Sequence, residues 1–169
     1  MIVIKAPYKY IPEGRITLFL AGSIEMGTAE KWQDKFIKEL DKFEEMSDVV
    51  VFNPRRDDWD SSWEQRIDNP NFREQVEWEL RRIERADIVA MHFVPDTKSP
   101  ITLLELGLVA SMKPSRTVVY CPEGFWRKGN VDIVCRKYDI VTCSSWHDFV
   151  LETYYKLLLI METMKWTGA

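Results

Sequence analysis

Ala86-Asp87-Ile88-Val89-Ala90-Met91-His92-Phe93, the link Val94 to Lys98, and Ser99-Pro100-Ile101-Thr102-Leu103-Leu104-Glu105-Leu106-Gly107-Leu108-Val109-Ala110 read as strand, loop and helix, and that order decides the fold class. Ser99 is placed to cap the helix, because a serine hydroxyl accepts a hydrogen bond from a free backbone N–H. Pro100 suits the first helical position, where a missing N–H costs nothing. Glu105 falls in the second turn. At about 100° per residue, Ile101, Val109 and Met112 lie within about 40° of it, and leucines and Ala110 fill the other arcs. The carboxylate therefore has no polar face to occupy. Burying an ionised carboxylate is costly, so such an acid is either tied to an arginine or backbone amides, or does chemistry.

Working outward, Ile16-Thr17-Leu18-Phe19-Leu20-Ala21 is a continuous apolar run ended by Gly22-Ser23, the pattern of a strand covered on both faces. After the turn Ile24 to Gly27, Thr28 is the expected cap of a helix carrying Ala29, Trp32, Phe36, Leu40 and Phe43 at helical spacing. Asp48-Val49-Val50-Val51-Phe52-Asn53-Pro54 is a second strand, stopped by its proline. A long connection, Arg55 to Asn69, is rich in charge and tryptophan, and loops of that length in a domain are usually functional. Asn69 and Pro70 open a helix to about Arg85. Beyond the opening stretch, Arg116 to Pro122 gives a fourth strand, Asn130 to Tyr138 a short helix, Ile140 to Cys143 a fifth strand, and Trp146 to Lys165 a long closing helix.

Strands alternating with helices imply right-handed crossovers and an α/β fold: a flavodoxin-like or Rossmann-like, doubly wound, five-stranded parallel sheet of order 2-1-3-4-5 in three layers. Residues 1–15 read as an N-terminal extension and 16–169 as a single domain. In that topology ligands bind beyond the carboxyl ends of strands 1 and 3, at Gly22-Ser23 and Val94 to Ser99. The first turns of the Glu105 helix overlook the same crevice.

Composition narrows the function. A net charge of −4 and a pI near 5.3 leave no basic surplus for a nucleic-acid polymer, while a small nucleotide stays open. Cys121, Cys135 and Cys143 form neither a disulfide framework nor a zinc pattern, so the default location is reducing and cytoplasmic. No segment reads as a signal peptide or a membrane span. With only His92 and His147, metal and triad chemistry are disfavoured, and His92 reads as a core histidine.

A second acid points inward. On helix 70–85, Phe72, Val76, Leu80, Ile83 and Ala86 form one apolar arc, and Glu79 projects between Ile83 and Ala86, whereas Glu77 pairs with Arg81 on the wet side. Glu79 is either bound by an arginine of the 55–56 pair or chemically active. Two inward carboxylates suit reaction at an acetal-like carbon, one attacking and one moving a proton, with retention. Asp87 lies at the far end of its strand and reads as a cap or turn residue. Gly22-Ser23 offers backbone N–H groups to a phosphate or hydroxyl, Arg55 and Arg56 either grip an anion or neutralise Asp57, Asp58 and Asp60, and Trp59, Trp63, Trp78 and Trp126 either stack on a base or pack.

Leu20-Ala21-Gly22-Ser23, Asn53-Pro54-Arg55-Arg56-Asp57-Asp58-Trp59, the Ala86-Asp87 pair, and Ser99 to Gly107 with its Glu-Leu-Gly together resemble the nucleoside 2-deoxyribosyltransferase superfamily, closest to its "like" branch, from about Ile16 to Cys143. The resemblance implies that Glu105 attacks C1′ of a deoxyribose and that Glu79 stands where the family carries an acid eight residues before the aspartate of the Ala-Asp pair. It places Gly22, Ser23, Asn53, Arg55 and Asp57 around the substrate. Ser99 is similar to the branch that hydrolyses deoxynucleoside 5′-monophosphates, in which a serine meets the phosphate. Asn130 stands where a neighbouring subunit contributes an asparagine, which implies a homo-oligomer with a shared site. The implied activity is cleavage or transfer of the N-glycosidic bond of a small-molecule nucleoside or nucleotide, with no metal or organic cofactor. Two departures stand out: Leu18 and Phe19 occupy the region of a family tyrosine, and Pro100-Ile101-Thr102 replaces a glycine-rich approach. The missing tyrosine allows, as the alternative, a nucleotide-binding module that keeps the crevice without the chemistry.

Overall fold

The computed structural model describes residues 1–10, 12–25 and 29–167. The strands are β1 (Ile2–Lys5), β2 (Thr17–Gly22), β3 (Val50–Asn53), β4 (Ile88–His92), β5 (Thr117–Tyr120) and β6 (Val141–Cys143). The helices are α1 (Trp32–Leu40), α2 (Pro70–Arg85), α3 (Pro100–Met112), α4 (Lys128–Lys137) and α5 (Trp146–Thr167). All strand pairs are parallel, in the order β1-β3-β2-β4-β5-β6.

The apolar run of β2 has no wet side because it is packed on both. Leu18 and Leu20 join Trp32 and Phe36 of α1 and Phe149 of α5, while Phe19 and Ala21 join Trp78 of α2, Leu106 of α3 and Val131 of α4. Side chains two apart on a strand share a face, so one continuous run feeds two cores and gives three layers.

Two expectations are corrected. The sheet has six strands rather than five, because Ile2–Lys5, read as part of an extension, pairs with β3 from Ile2↔Val50 to Lys5↔Asn53. This edge strand is four residues long with Ile2 and Val3 exposed, so it lacks the long apolar run that marks a central strand. The following residues are also tied down, since the Trp78 Nε1–H donates to the Tyr8 carbonyl at 2.8 Å and Arg82 donates to the Lys9 carbonyl at 2.8 Å. Without the added edge, the order of the remaining strands is the expected one.

The second correction concerns helix starts. Ser99 has φ 45° and ψ 52°, a left-handed conformation, and its side chain makes no capping bond to α3. Helix α1 begins at Trp32 with Lys31 ahead of it, and Thr28, the expected cap, lies outside the described residues. By contrast, α2 opens at Asn69 and Pro70 as read, and Asn69 caps it, its Oδ1 accepting from the Asn71 and Phe72 N–H groups at 3.1 Å each. Among the described residues no helix is long and apolar enough to cross a membrane.

Candidate active site

Where the sheet order switches, β2 and β4 lie side by side with Gly22 opposite His92. Space dictates the glycine. Its φ is +148°, and a Cβ would stand 2.3 Å from the His92 carbonyl oxygen and 2.7 Å from Trp32 Cζ2. Ser23 then ties the region together. Its N–H donates to the His92 carbonyl at 3.0 Å, its carbonyl accepts from Trp32 Nε1 at 3.1 Å, and its hydroxyl accepts from the Val94 N–H at 2.9 Å. The same hydroxyl lies 3.1 Å from Thr97 Oγ1 and 2.5 Å from Ser99 Oγ, and Thr97 Oγ1 is 2.8 Å from Ser99 Oγ. The Ser99 N–H donates to the Glu25 carboxylate. Those bonds take up the Ser99 hydroxyl that would otherwise cap α3, and they hold its backbone in the left-handed region.

A cavity of about 180 Å³ opens beyond these strand ends. Its apolar lining comes from Ile24, Pro54, Trp59, Phe72, Val76, Pro100 and Ile101. Gly22, Glu25, Arg55, Arg56, Gln65, Gln75, Ser99 and Thr102 complete it together with the two acids, Glu79 from α2 and Glu105 from α3. Glu105 is 7 % exposed and Glu79 is partly buried.

Electrostatics set the acids apart from the other carboxylates. Burial, and then the charge of Glu79, push the Glu105 carboxyl well above the usual range. Burial pushes Glu79 up to about 7, opposed by a hydrogen bond from Gln75. That bond, Gln75 Nε2 to Glu79 Oε1 at 2.7 Å, stands in place of the arginine that was one of the two readings of this acid; the same amide nitrogen donates to the Pro54 carbonyl at 2.9 Å. The arginines are engaged elsewhere. Arg55 donates to the Ala29 and Glu30 carbonyls at 3.0 and 2.9 Å, and burial lowers its pKa. Arg56 holds Asp58 through two bonds of 2.9 and 2.8 Å. Among the described residues no cation forms an ion pair with Glu79 or Glu105. Burial and mutual repulsion favour the protonated form of such a pair of acids, and an acid that keeps its proton beside one that gives it up can deliver that proton while the other attacks.

Of the nine residues singled out in the sequence, Gly22, Arg55, Ser99, Glu79 and Glu105 meet at the cavity. The others do not line it. Ser23 is buried behind it as the hub just described. Asn53 is fully buried, and its Oδ1 accepts from the Arg55 N–H at 3.0 Å. Asp57 is exposed and pairs with Lys5 at 2.7 Å. Asn130 is exposed on α4.

The aromatic and histidine readings also resolve. Trp59 lines the cavity, with the Trp63 ring 5.2 Å away and Arg56 5.0 Å from the Trp63 ring. Trp78 is core, whereas Trp126 is exposed and lies outside the cavity, its Nε1 donating to the Lys98 carbonyl at 3.0 Å. His92 is buried, stacked 4.9 Å from Tyr120, and desolvation pushes it down to about 4, so it is a neutral core histidine. Asp87 accepts from the Thr17 N–H and hydroxyl at the opposite end of the sheet, as a cap. Glu25 and Gln75 were missed. Gln75 was discoverable, because it lies one helical turn before Glu79 on the same face. Glu25 had only its place shortly after Gly22-Ser23.

No curated protein matches the chain with significance. The model of the family described as nucleoside 2-deoxyribosyltransferase like matches residues 15–125, a span that contains β2 to β5 and all the cavity-lining residues named above, and the chain belongs to that family.

Proposed function

We propose that the protein is an enzyme that cleaves or transfers the N-glycosidic bond of a (deoxy)nucleoside or its 5′-monophosphate through a covalent glycosyl intermediate on Glu105. One observation carries the reading: two carboxyls from different helices, both shifted upward, share an apolar cavity at the switch point of the sheet. In the attacking form the proton of the pair sits on Glu79. A Glu105 oxygen forms a bond to C1′, the C1′–N electron pair leaves with the base, and the Glu79 proton goes to that base. Water or an acceptor base then loses a proton to Glu79 and displaces Glu105 from C1′, restoring the pair. Ser99 lies at the sugar's 5′ end, Trp59 provides a face for the base, and no metal or organic cofactor enters the scheme. Asn130, exposed and away from the cavity of its own chain, is available to complete the site of a second copy in a homo-oligomer.

The test is incubation with a panel of nucleosides, deoxynucleosides and their 5′-monophosphates, with and without a free acceptor base, followed by intact-protein mass. Released base and a glycosyl adduct, both abolished in Glu105→Ala, are expected. Base exchange without net hydrolysis identifies a transferase; release without an acceptor identifies a hydrolase. A second reading, a binding module without turnover, is favoured by Leu18 and Phe19, which are fully buried in the two cores and bring no hydroxyl to Glu105. Tight binding with no released base across the panel would select it.

A further inference from the structure

Attack by Glu105 with proton delivery by Glu79 moves a charge across the cavity. When a Glu105 oxygen bonds to C1′ its negative charge is neutralised in the ester, and when Glu79 gives its proton to the departing base Glu79 becomes the carboxylate. A carboxylate forming in an apolar cavity needs a group to receive it. The charged groups that line the cavity do not supply one: Glu105 and Glu25 are acids, Arg55 donates to the Ala29 and Glu30 carbonyls, and Arg56 holds Asp58. Gln75 does supply it. This side chain, 5 % exposed and one turn ahead of Glu79 on α2, donates through Nε2 to Glu79 Oε1 at 2.7 Å and to the carbonyl of Pro54, just beyond β3, at 2.9 Å. Two acceptors fix the amide, because turned over it would set its own oxygen against a carbonyl and a carboxylate. That orientation leaves Gln75 Oε1 buried without a partner among the described residues. At Glu105 burial and the charge of Glu79 both disfavour the anion, whereas at Glu79 the bond from Gln75 opposes burial. The charge therefore moves toward the acid that has a donor waiting.

We propose that Gln75 is a positioning residue for the reaction: it ties Glu79 to the end of β3 and stabilises the Glu79 carboxylate during the life of the glycosyl-enzyme, until water or an acceptor base returns a proton. The inference rests on the glycosidic reading of the cavity and adds a residue to it. Gln75→Met removes the donor at similar volume. Gln75→Asn, which keeps the amide but is one methylene shorter, is the second variant, with circular dichroism to check that each is folded. Two readouts are compared. One is the titration of Glu79, followed by NMR with a carbon-13 label in the glutamate side-chain carboxyls and identified by the signal that Glu79→Gln lacks. The other is the rate of leaving-group release from a nucleoside and from the 4-nitrophenyl glycoside of the same sugar, whose nitrophenolate departs without a proton and so leaves Glu79 uncharged.

In both variants Glu79 should titrate about one pH unit or more higher than in the wild type, because a hydrogen bond to its charged form is lost. Base release from the nucleoside should slow roughly tenfold or more, and nitrophenolate release by about threefold at most. Equal losses on the two substrates, or an unmoved Glu79 titration in a folded variant, overturn the inference and leave the glycosidic reading standing. If the wild type releases neither leaving group while the variants still raise the Glu79 titration, the glycosidic reading falls, and of the inference only the hold of Gln75 on the Glu79 carboxylate survives.

Discussion

The two walls of the cavity are built on opposite rules. On the α3 side, Ser23, Thr97 and Ser99 satisfy one another and the Val94 backbone, and every one of these hydroxyls has at least two partners. On the α2 and 55–69 side, Arg56 Nη1, Trp59 Nε1 and Gln75 Oε1 are buried and have no partner among the described residues. A buried polar atom left unpaired costs about 1–3 kcal/mol, so the second wall carries hydrogen-bonding capacity that the protein alone does not use. The contrast separates two kinds of wall: the hydroxyls on the α3 side are paired within the protein, and the facing side keeps buried polar atoms, without a partner among the described residues, to which a ligand or ordered water can bond.

Breaking the ordered wall should have the largest effect. Gly22→Ala puts a methyl group into the His92 carbonyl and the Trp32 ring at a backbone angle hostile to a side chain, so a loss of at least about 3 kcal/mol or outright failure to fold is expected in urea unfolding. If Gly22→Ala folds with wild-type stability, the account of the α3-side wall is wrong.

The acids come next, and their effect depends on pH. Glu79 titrates near 7 when folded against an ordinary value of 4.5, so between those values the folded state binds more protons than the unfolded one. Its contribution is therefore most favourable at low pH and is lost as pH rises from about 4.5 to about 7. Glu79→Gln, which stays neutral, should gain stability relative to wild type across that window, by at most about 1.4 kcal/mol per pH unit, and then hold the gain to pH 8. Unfolding midpoints at pH 5 and pH 8 check this; an advantage that shrinks with rising pH contradicts the placement of the acid.

Smaller effects sharpen the contrast. Ser99→Ala removes the hydroxyl shared by Ser23 and Thr97, so a loss of about 1–2 kcal/mol in thermal unfolding is expected. Trp59→Phe, on the other wall, removes a donor that has no partner among the described residues, so stability should change by under about 1 kcal/mol while nucleoside binding weakens several-fold by calorimetry. Equal losses from these two substitutions would erase the distinction between the walls.

Legibility followed the range of the interactions. Glu105 and Glu79 could be found because helical periodicity places a side chain on an arc from its near neighbours alone, and Glu77 with Arg81 followed the same logic, their ion pair being 3.2 Å. The start of α2 at Asn69 and Pro70 was equally local. The partner of Glu79 was not legible: an arginine of the 55–56 pair was one of its two readings, but Arg55 donates to the Ala29 and Glu30 carbonyls and Arg56 to Asp58, and Gln75 takes the contact. Asp57 pairs with Lys5, a residue of the edge strand that the sequence pattern did not announce. Ser99 was read as a local cap, while its bonds run to Ser23, 76 positions away, and to Glu25, 74 positions away.

The sequence by itself therefore determined the alternating α/β order, the doubly covered central strands and the inward direction of the two acids, because each follows from a short apolar period. The tertiary structure decided that those acids share one cavity, that Glu25 stands at the head of α3, and that one wall is satisfied while the other is not. Hydrogen-bond partners across tens of residues are chosen by packing, and no local period encodes that choice.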